Sequence, residues 1–108
     1  MILTMDFSNM VLSIVERIPR GRVTTYKEIA IALGNKNLAR VVGLALRRNP
    51  RLIEVPCHRV VYSDGRVGGY VLGVDRKKEL LMSEGIGIEN DRIVDFDRIL
   101  VRADFLRD

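Results

Sequence analysis

The chain has 108 residues, a hydrophobic fraction of 47% and a net charge of +4 at pH 7, values that suit one compact domain with a real core. Its single cysteine excludes an intramolecular disulfide, and neither an 18-residue apolar run nor a basic-then-apolar start indicates a membrane span or a signal peptide. We therefore expect an intracellular, cytoplasmic protein with no membrane association.

The positive charge lies in the first part of the chain. Residues 1–85 contain 14 Lys and Arg against 8 Asp and Glu, whereas residues 86–108 contain 4 against 6. A basic surplus of this kind suits a polyanion such as nucleic acid, although a solvated basic surface explains it equally well.

The first predicted element is an amphipathic helix. Apolar residues recur at helical spacing near the N-terminus: Phe7, Val11, Ile14, Val15 and Ile18. Asp6 or Ser8 can cap this helix, and Pro19-Arg20-Gly21 ends it.

Two more helices follow in quick succession. Residues 25–28, Thr-Tyr-Lys-Glu, match a capping box and predict a second helix of about nine residues that ends at Gly34. We expect Asn37 to cap a third helix from about Leu38 to Arg48, because Asn49-Pro50 disfavours helical geometry beyond it. Short helices joined by a polar turn indicate a helix-turn-helix over about residues 25–48.

Gly43 lies inside the third predicted helix, where glycine costs about 1 kcal/mol relative to alanine. It therefore indicates a close approach by another surface. That surface is either a bound molecule or a neighbouring helix, and the sequence does not separate the two.

The only cysteine and the only histidine are adjacent, at Cys57 and His58. They lie in a stretch, residues 53–62, that we expect to be extended and broken at Pro56. A thiol with a pKa of about 8.5 is only a few per cent ionised at neutral pH, so a nucleophilic Cys57 needs a base or a positive field, which His58 or Arg59 can supply. The competing interpretation is a buried small thiol beside a structural histidine.

The remaining elements are short. Residues 63–66 form a turn that predicts a small hairpin or wing, residues 68–73 form a flexible loop, and Asp75 can cap a helix over residues 76–84. The last 23 residues read as an appendage with strand-like or irregular segments at residues 93–96 and 99–101. The expected fold is mainly α with a small β-hairpin, a winged helix-turn-helix-like DNA-binding domain.

The order of these motifs resembles the C-terminal domain of the O6-alkylguanine-DNA alkyltransferases. The matching motifs run from about Phe7 to Gly85: Gly21-x-Val23-x-x-Tyr26, Arg40-x-Val42-Gly43, Asn49-Pro50, Pro56-Cys57-His58-Arg59-Val60, Gly68-x-Tyr70 and Glu84-Gly85. Pro-Cys-His-Arg alone is a moderate signal. All of the motifs in this order and at these separations are a specific one.

The resemblance implies catalytic roles for four residues. Cys57 takes the alkyl group from O6 of guanine in one irreversible step, and His58 acts as its base through a water. Glu84 orients the imidazole, although without the family a solvated helix end would be the favoured explanation of this glutamate. Asn49 holds the active-site turn together. The resemblance implies no cofactor, and one Cys with one His cannot make the usual four-ligand zinc site, so we expect no metal.

The resemblance also implies how DNA is held. Arg40 enters the base stack when the nucleotide is rotated out, with a plain phosphate contact as the competing role. Small residues at Ala39 and Gly43 let the third helix lie in the minor groove, and Arg47 contacts the DNA. The substrate-binding residues are implied together: Tyr26 turns the nucleotide, and backbone or side-chain groups at Val60, Tyr70 and Val71 read the extruded base.

One departure and one alternative accompany the resemblance. Val71 and Leu72 replace smaller residues of the best-known members, which predicts a more apolar site. We expect residues 1–85 to form the catalytic and DNA-binding domain and residues 86–108 to form an extension packed on it. This organisation is similar to that of the alkyltransferase-like proteins, which bind the lesion without transfer and recruit excision repair. Those proteins lack the cysteine, so Cys57 favours transfer.

The expected partner is double-stranded DNA that contains O6-alkylguanine, bound by a monomer that is nucleoid-associated if the source is prokaryotic. A third interpretation is a transcription regulator that reads an operator sequence. The helix over residues 38–48 contains no Asn, Gln or Lys side chain that would read bases, which disfavours it.

Overall fold

The structure, a computed structural model, describes residues 6–107. Within this range there are six α-helices: α1 Phe7–Val15, α2 Tyr26–Ala32, α3 Ala39–Arg47, α4 Val74–Ser83, α5 Phe96–Ile99 and α6 Ala103–Leu106. Two turns of 3-10 helix cover Lys36–Leu38 and Cys57–Arg59. The strands are β1 Thr24–Thr25, β2 Val60–Val61, β3 Ile88–Glu89 and β4 Arg92–Ile93. No helix of this range is long and apolar enough to cross a bilayer.

Helix α1 forms where the apolar spacing predicts it. The Asp6 carboxylate accepts a hydrogen bond from the backbone N–H of Asn9 at 2.8 Å, so Asp6 and not Ser8 is the N-cap. Val11 and Val15 are fully buried on the face that packs against the other helices. The amphipathic pattern thus sets which side of α1 faces the core.

The helix-turn-helix is also present, with two differences at its ends. Thr25 Oγ1 accepts from the Glu28 N–H at 3.0 Å, which confirms the predicted start, but α2 has seven residues and not nine. The predicted cap at Asn37 is wrong. Asn35 accepts from the Asn37 N–H at 2.9 Å, because the connecting turn continues as 3-10 helix and places Asn37 inside it.

Residues 53–62 are not extended as predicted, apart from the two residues of β2. Pro56 has φ −80° and ψ 63°, and the Cys57 N–H donates to the Val55 carbonyl at 2.8 Å. These are the features of an inverse γ-turn, which reverses the chain immediately before the cysteine. Strand β2 then pairs in parallel with β1.

The wing is formed by the turn at residues 63–66 together with the tail, which is residues 86–107 of the described range. The Tyr62 N–H donates to the Arg66 carbonyl at 3.0 Å, which closes the predicted turn. The chain after that turn pairs with the tail and not back onto β2, since Arg66 bridges antiparallel to Arg92 in the hairpin of β3 and β4. The fold class is confirmed as a mainly helical, helix-turn-helix-like domain with a small wing.

The tail then crosses to the helix-turn-helix. On one side of β1, the Val23 N–H donates to the Ile99 carbonyl and the Val23 carbonyl accepts from the Val101 N–H. In a full capping box the Glu28 carboxylate would accept a hydrogen bond from the backbone N–H of Thr25. Here it accepts from the Ala103 N–H at 2.8 Å. Residues 86–107 therefore pack on the same body as the preceding part of the chain.

Helix α4 begins earlier than predicted. Its N-cap is Gly73, with φ +95°, and not Asp75, which lies in the first helical turn. A carboxylate in that turn still interacts favourably with the positive end of the helix. Leu81 on the inner face of α4 is fully buried in a second core cluster with Val23 and Val61.

Candidate active site and adjoining cavity

The Cys57 thiol lies just after the γ-turn, and the residue is only 6% exposed. The Asn49 amide donates to the Val55 carbonyl at 2.9 Å and lies 3.4 Å from Cys57 Sγ. The Asn49 carbonyl oxygen accepts from the Arg51 N–H at 2.9 Å. One buried amide therefore joins the end of α3, the γ-turn and the sulfur.

The Cys57 thiol is not ionised before a reaction begins. Burial raises the pKa of Cys57, and the hydrogen bond from Asn49 and the charge of Lys77 offset this only in part. A neutral thiol needs a base at the moment of reaction if it is to act as a nucleophile.

His58 is the nearest candidate for that base in the sequence and is completely buried. Its Nε2 lies 2.9 Å from Glu84 Oε2, and within residues 6–107 its Nδ1 has no hydrogen-bond partner. Burial lowers the pKa of His58, against the opposing effect of Glu84. The imidazole is therefore neutral near pH 7, with one nitrogen oriented and the other able to accept a proton.

Glu84 is hydrogen-bonded to Arg59 as well as to His58. The Arg59 guanidinium donates to both of its oxygens, at 2.9 and 2.8 Å, and to the Ile18 carbonyl at 2.8 Å. Burial alone would raise the pKa of Glu84, but the hydrogen bonds from Arg59 and His58 outweigh it and lower the pKa. The carboxylate therefore stays charged and stabilises a cation on His58.

Lys77 is a site residue that the sequence analysis missed. It is fully buried, and its ammonium donates to the carbonyls of Val60 at 2.7 Å and Gly69 at 3.1 Å. It lies four residues before the buried Leu81, so helical spacing places it on the inner face of α4. That spacing was its only signal in the sequence.

Burial lowers the pKa of Lys77 from 10.5 to about 8. The folded protein thus releases this proton at lower pH than the unfolded chain does, and stability rises with pH between those values. We expect the free energy of unfolding of the wild type, relative to Lys77→Met, to increase by up to about 2 kcal/mol from pH 8 to pH 10. Urea titrations of both proteins across this range measure it, and a difference that is constant with pH would contradict it.

A cavity of about 680 Å³ opens beside Cys57. Its walls come from α2, α3 and the loop before α4, and its lining includes Tyr26, Lys27, Ala39, Arg40, Gly43, Leu46, Arg47, Cys57, Tyr62, Ser63, Gly69, Tyr70 and Val71. Most residues that the resemblance implied for substrate and DNA are thus brought together around one space. Val60 is an exception, because its side chain is fully buried in the core and its carbonyl accepts from Lys77.

Gly43 faces this cavity without a tight contact from the protein. A Cβ at this position would lie 3.8 Å from the Tyr26 ring, an ordinary van der Waals distance. Packing between helices therefore does not require the glycine.

Comparison with known proteins identifies relatives of this arrangement. Residues 6–86 match the family described as 6-O-methylguanine DNA methyltransferase, DNA binding domain. The chain is 43% identical over 90 residues to a bifunctional methyltransferase/endonuclease of Picrophilus torridus, covering 83% of this chain and 30% of that protein. It is 48% identical over 79 residues to a methylated-DNA--protein-cysteine methyltransferase of Methanosarcina barkeri, covering 73% and 50%. The chain spans about half or less of these relatives.

Two solved structures are similar in fold. Mycobacterium tuberculosis OGT in complex with DNA has a TM-score of 0.72 at 42% identity, covering 77% of this chain and 51% of that one. S. pombe Atl1, in complex with damaged DNA containing O6-carboxymethylguanine, has a TM-score of 0.79 at 31% identity, covering 93% and 99%. By sequence and fold, the chain belongs to the O6-methylguanine DNA methyltransferase family, of which it contains the DNA-binding domain.

Proposed function

We propose that this chain repairs DNA by accepting an alkyl group from O6 of guanine onto Cys57, once per molecule. The observation that carries the proposal is the placement of the Cys57 thiol in the wall of a cavity that α3 also lines, with the coupled His58 and Glu84 pair beside it. A buried thiol with a raised pKa and a neighbouring neutral imidazole suit proton removal during the reaction.

The chemistry follows from that geometry. His58 Nδ1 takes the thiol proton through a bridging water, and Glu84 stabilises the resulting imidazolium. The sulfur electron pair forms a bond to the alkyl carbon, the bond from that carbon to O6 breaks, and its electron pair leaves with guanine. The guanine then takes up one proton. Asn49 keeps the sulfur and the γ-turn in place throughout.

Double-stranded DNA is the proposed partner, bound by a monomer. Arg40, Arg47 and the small residues Ala39 and Gly43 line the open side of the cavity on α3, where they can follow a groove. Arg40 fills the gap that the rotated nucleotide leaves. Tyr26 guides that nucleotide into the cavity.

Reading of the extruded base falls to the other walls. Tyr70 and Val71 also line the cavity, and a backbone N–H of their loop can donate to the base. The Lys77 contacts to the Val60 and Gly69 carbonyls hold the two segments that frame this wall. We assign catalysis and DNA binding to residues 1–85 and treat residues 86–108 as an extension, of which residues 86–107 pack on the preceding part of the chain.

The second candidate function is lesion binding without transfer, followed by recruitment of an excision-repair partner. It is favoured by the similarity to Atl1, which extends over nearly the whole of both chains and includes the tail. Cys57 favours transfer, since a protein that only binds the lesion has no need of a thiol in the cavity wall followed directly in the chain by a histidine that is hydrogen-bonded to a carboxylate.

A mass measurement separates the two functions. After incubation with duplex oligonucleotide containing O6-methylguanine, we expect the Cys57 peptide to gain the mass of one methyl group and the lesion strand to lose it. Cys57→Ala is the matched control and should bind the duplex without any covalent change. An unmodified Cys57 after saturation with lesion DNA would reject transfer and support lesion binding.

A further inference from the structure

All three tyrosines of the chain line the cavity beside Cys57: Tyr26, Tyr62 and Tyr70. The family resemblance gives roles to Tyr26 and Tyr70 and none to Tyr62. The Tyr62 residue is 40% exposed, and its ring centroid lies 5.8 Å from that of Tyr26 with the planes tilted by 42°. Tyr62 therefore adds a further aromatic surface to the cavity wall.

The Tyr62 ring is held in a fixed position. Its backbone is closed into a turn by hydrogen bonds with Arg66 and Gly65, and the Arg66 guanidinium lies over the ring at 5.0 Å from its centroid. A Cβ at Gly68 would lie 3.3 Å from the ring, closer than an ordinary contact, so the ring rests directly on that backbone. A ring held in this way contacts a ligand with little loss of conformational freedom.

The tail keeps this turn in place. The Arg92 guanidinium donates to the Asp64 carbonyl at 2.8 Å, and the Ile93 N–H donates to the Gly65 carbonyl at 2.9 Å. The Arg66 side chain is in turn paired with Asp64 at 2.8 Å. The position of Tyr62 at the cavity is thus fixed by contacts from three segments of the chain.

The cavity of about 680 Å³ has two kinds of lining. Arg40, Gly43 and Arg47 of α3, which we assign to DNA, form one part of it, and the turn at Tyr62 and the loop at Val71 form another. Tyr62 and the half-exposed Val71 line this space with apolar surface. A larger apolar group on O6 would occupy it.

We propose that Tyr62 is a specificity-determining residue that contacts the O6 substituent, so that the site favours guanine with an aromatic substituent such as benzyl over methyl. The proposal rests on the transfer function proposed above. In that reaction an electron pair on the sulfur forms a bond to the benzylic carbon. The bond from that carbon to O6 breaks, and its electron pair leaves with guanine. The thiol proton passes through His58 to the guanine.

An aromatic substituent gains from Tyr62 what a methyl group does not. Two aromatic rings that meet offset or edge to face gain binding free energy in addition to the gain from the apolar area they bury. This additional free energy changes an equilibrium or a rate roughly two- to tenfold. A methyl group has no ring and cannot make such a contact.

The test compares single-turnover rates for the same duplex with O6-benzylguanine or O6-methylguanine, read from the mass of the Cys57 peptide. The wild type should react faster with the benzyl lesion. Tyr62→Ala should lower the ratio of benzyl to methyl rates by about fivefold, and Tyr62→Phe, which keeps the ring, should preserve it. Tyr62→Leu retains bulk without the ring and should lower the ratio as Tyr62→Ala does, which separates the effect of the ring from that of volume. A folding defect would lower both rates together and leave their ratio unchanged.

Two outcomes would overturn the role of Tyr62: an unchanged rate ratio in Tyr62→Ala, or an equal loss of both rates. If the wild type transfers neither group, the transfer function itself is rejected. In that case the dissociation constants of the benzyl and methyl duplexes are measured instead of the rates. If the ratio of these two constants is the same in Tyr62→Ala as in the wild type, the specificity role of Tyr62 is overturned as well.

Discussion

Replacing Glu84 with alanine is expected to lower the free energy of unfolding by about 3 kcal/mol and to slow alkyl transfer by at least about a hundredfold. The Glu84 side chain is 6% exposed and accepts three hydrogen bonds, two from Arg59 and one from His58. Its removal leaves a partly buried guanidinium without its counter-ion and an imidazole without an orienting partner. Urea titration measures the first effect, and single-turnover kinetics measure the second.

Glu84→Gln is the matched control for this change. It keeps one acceptor oxygen and the shape of the side chain but loses the charge that stabilises a cation on His58. We expect it to recover most of the lost stability and little of the lost rate. A rate for either variant within about threefold of the wild type would show that His58 and Glu84 do not act as the proton relay.

Replacing Arg40 with alanine is expected to slow repair of duplex substrate by about a hundredfold, with no more than about a twofold effect on free O6-benzylguanine base. Arg40 is exposed in the first turn of α3 and lines the cavity. Rotation of a nucleotide out of the duplex costs a few kcal/mol, and a side chain that fills the gap offsets part of that cost. A free base requires no rotation.

Arg48→Ala is the control for charge alone. Arg48 is exposed at the C-cap of the same helix and does not line the cavity. Its loss should weaken DNA binding modestly and in a salt-dependent way, with no selective effect on the rate. An equal loss on duplex and free base for Arg40→Ala would reject the gap-filling role and favour a general structural one.

The parts of the site that sequence predicts are those with local signals. Thr25 marks the start of α2, and Asp6 is one of the two candidates for α1, because an N-cap bond joins residues close in sequence. The same kind of signal is wrong at Asn37 and Asp75, where the helical turn begins earlier than the candidate cap. The adjacent Cys57 and His58 are visible because they too lie close in sequence. The partnership of His58 with Glu84, 26 residues away, is suggested only by the family resemblance, since no local pattern encodes it.

The features that sequence reasoning misses depend on contacts between distant segments. Lys77 reads as a surface charge until the fold places the Val60 and Gly69 carbonyls around it. Tyr62 reads as part of a strand, whereas the tail fixes its turn against the cavity. The γ-turn at Pro56 is a local feature, but a single proline is compatible with too many backbone paths to specify it.

The hydrogen bonds of Val23 to residues 99 and 101, and of Glu28 to the N–H of Ala103, link early and late parts of the polypeptide. During translation the helix-turn-helix leaves the ribosome well before those later residues are made. One edge of β1 and the carboxylate at the start of α2 therefore stay without their partners in the nascent chain. These contacts of Val23 and Glu28 form only once residue 103 has left the ribosome.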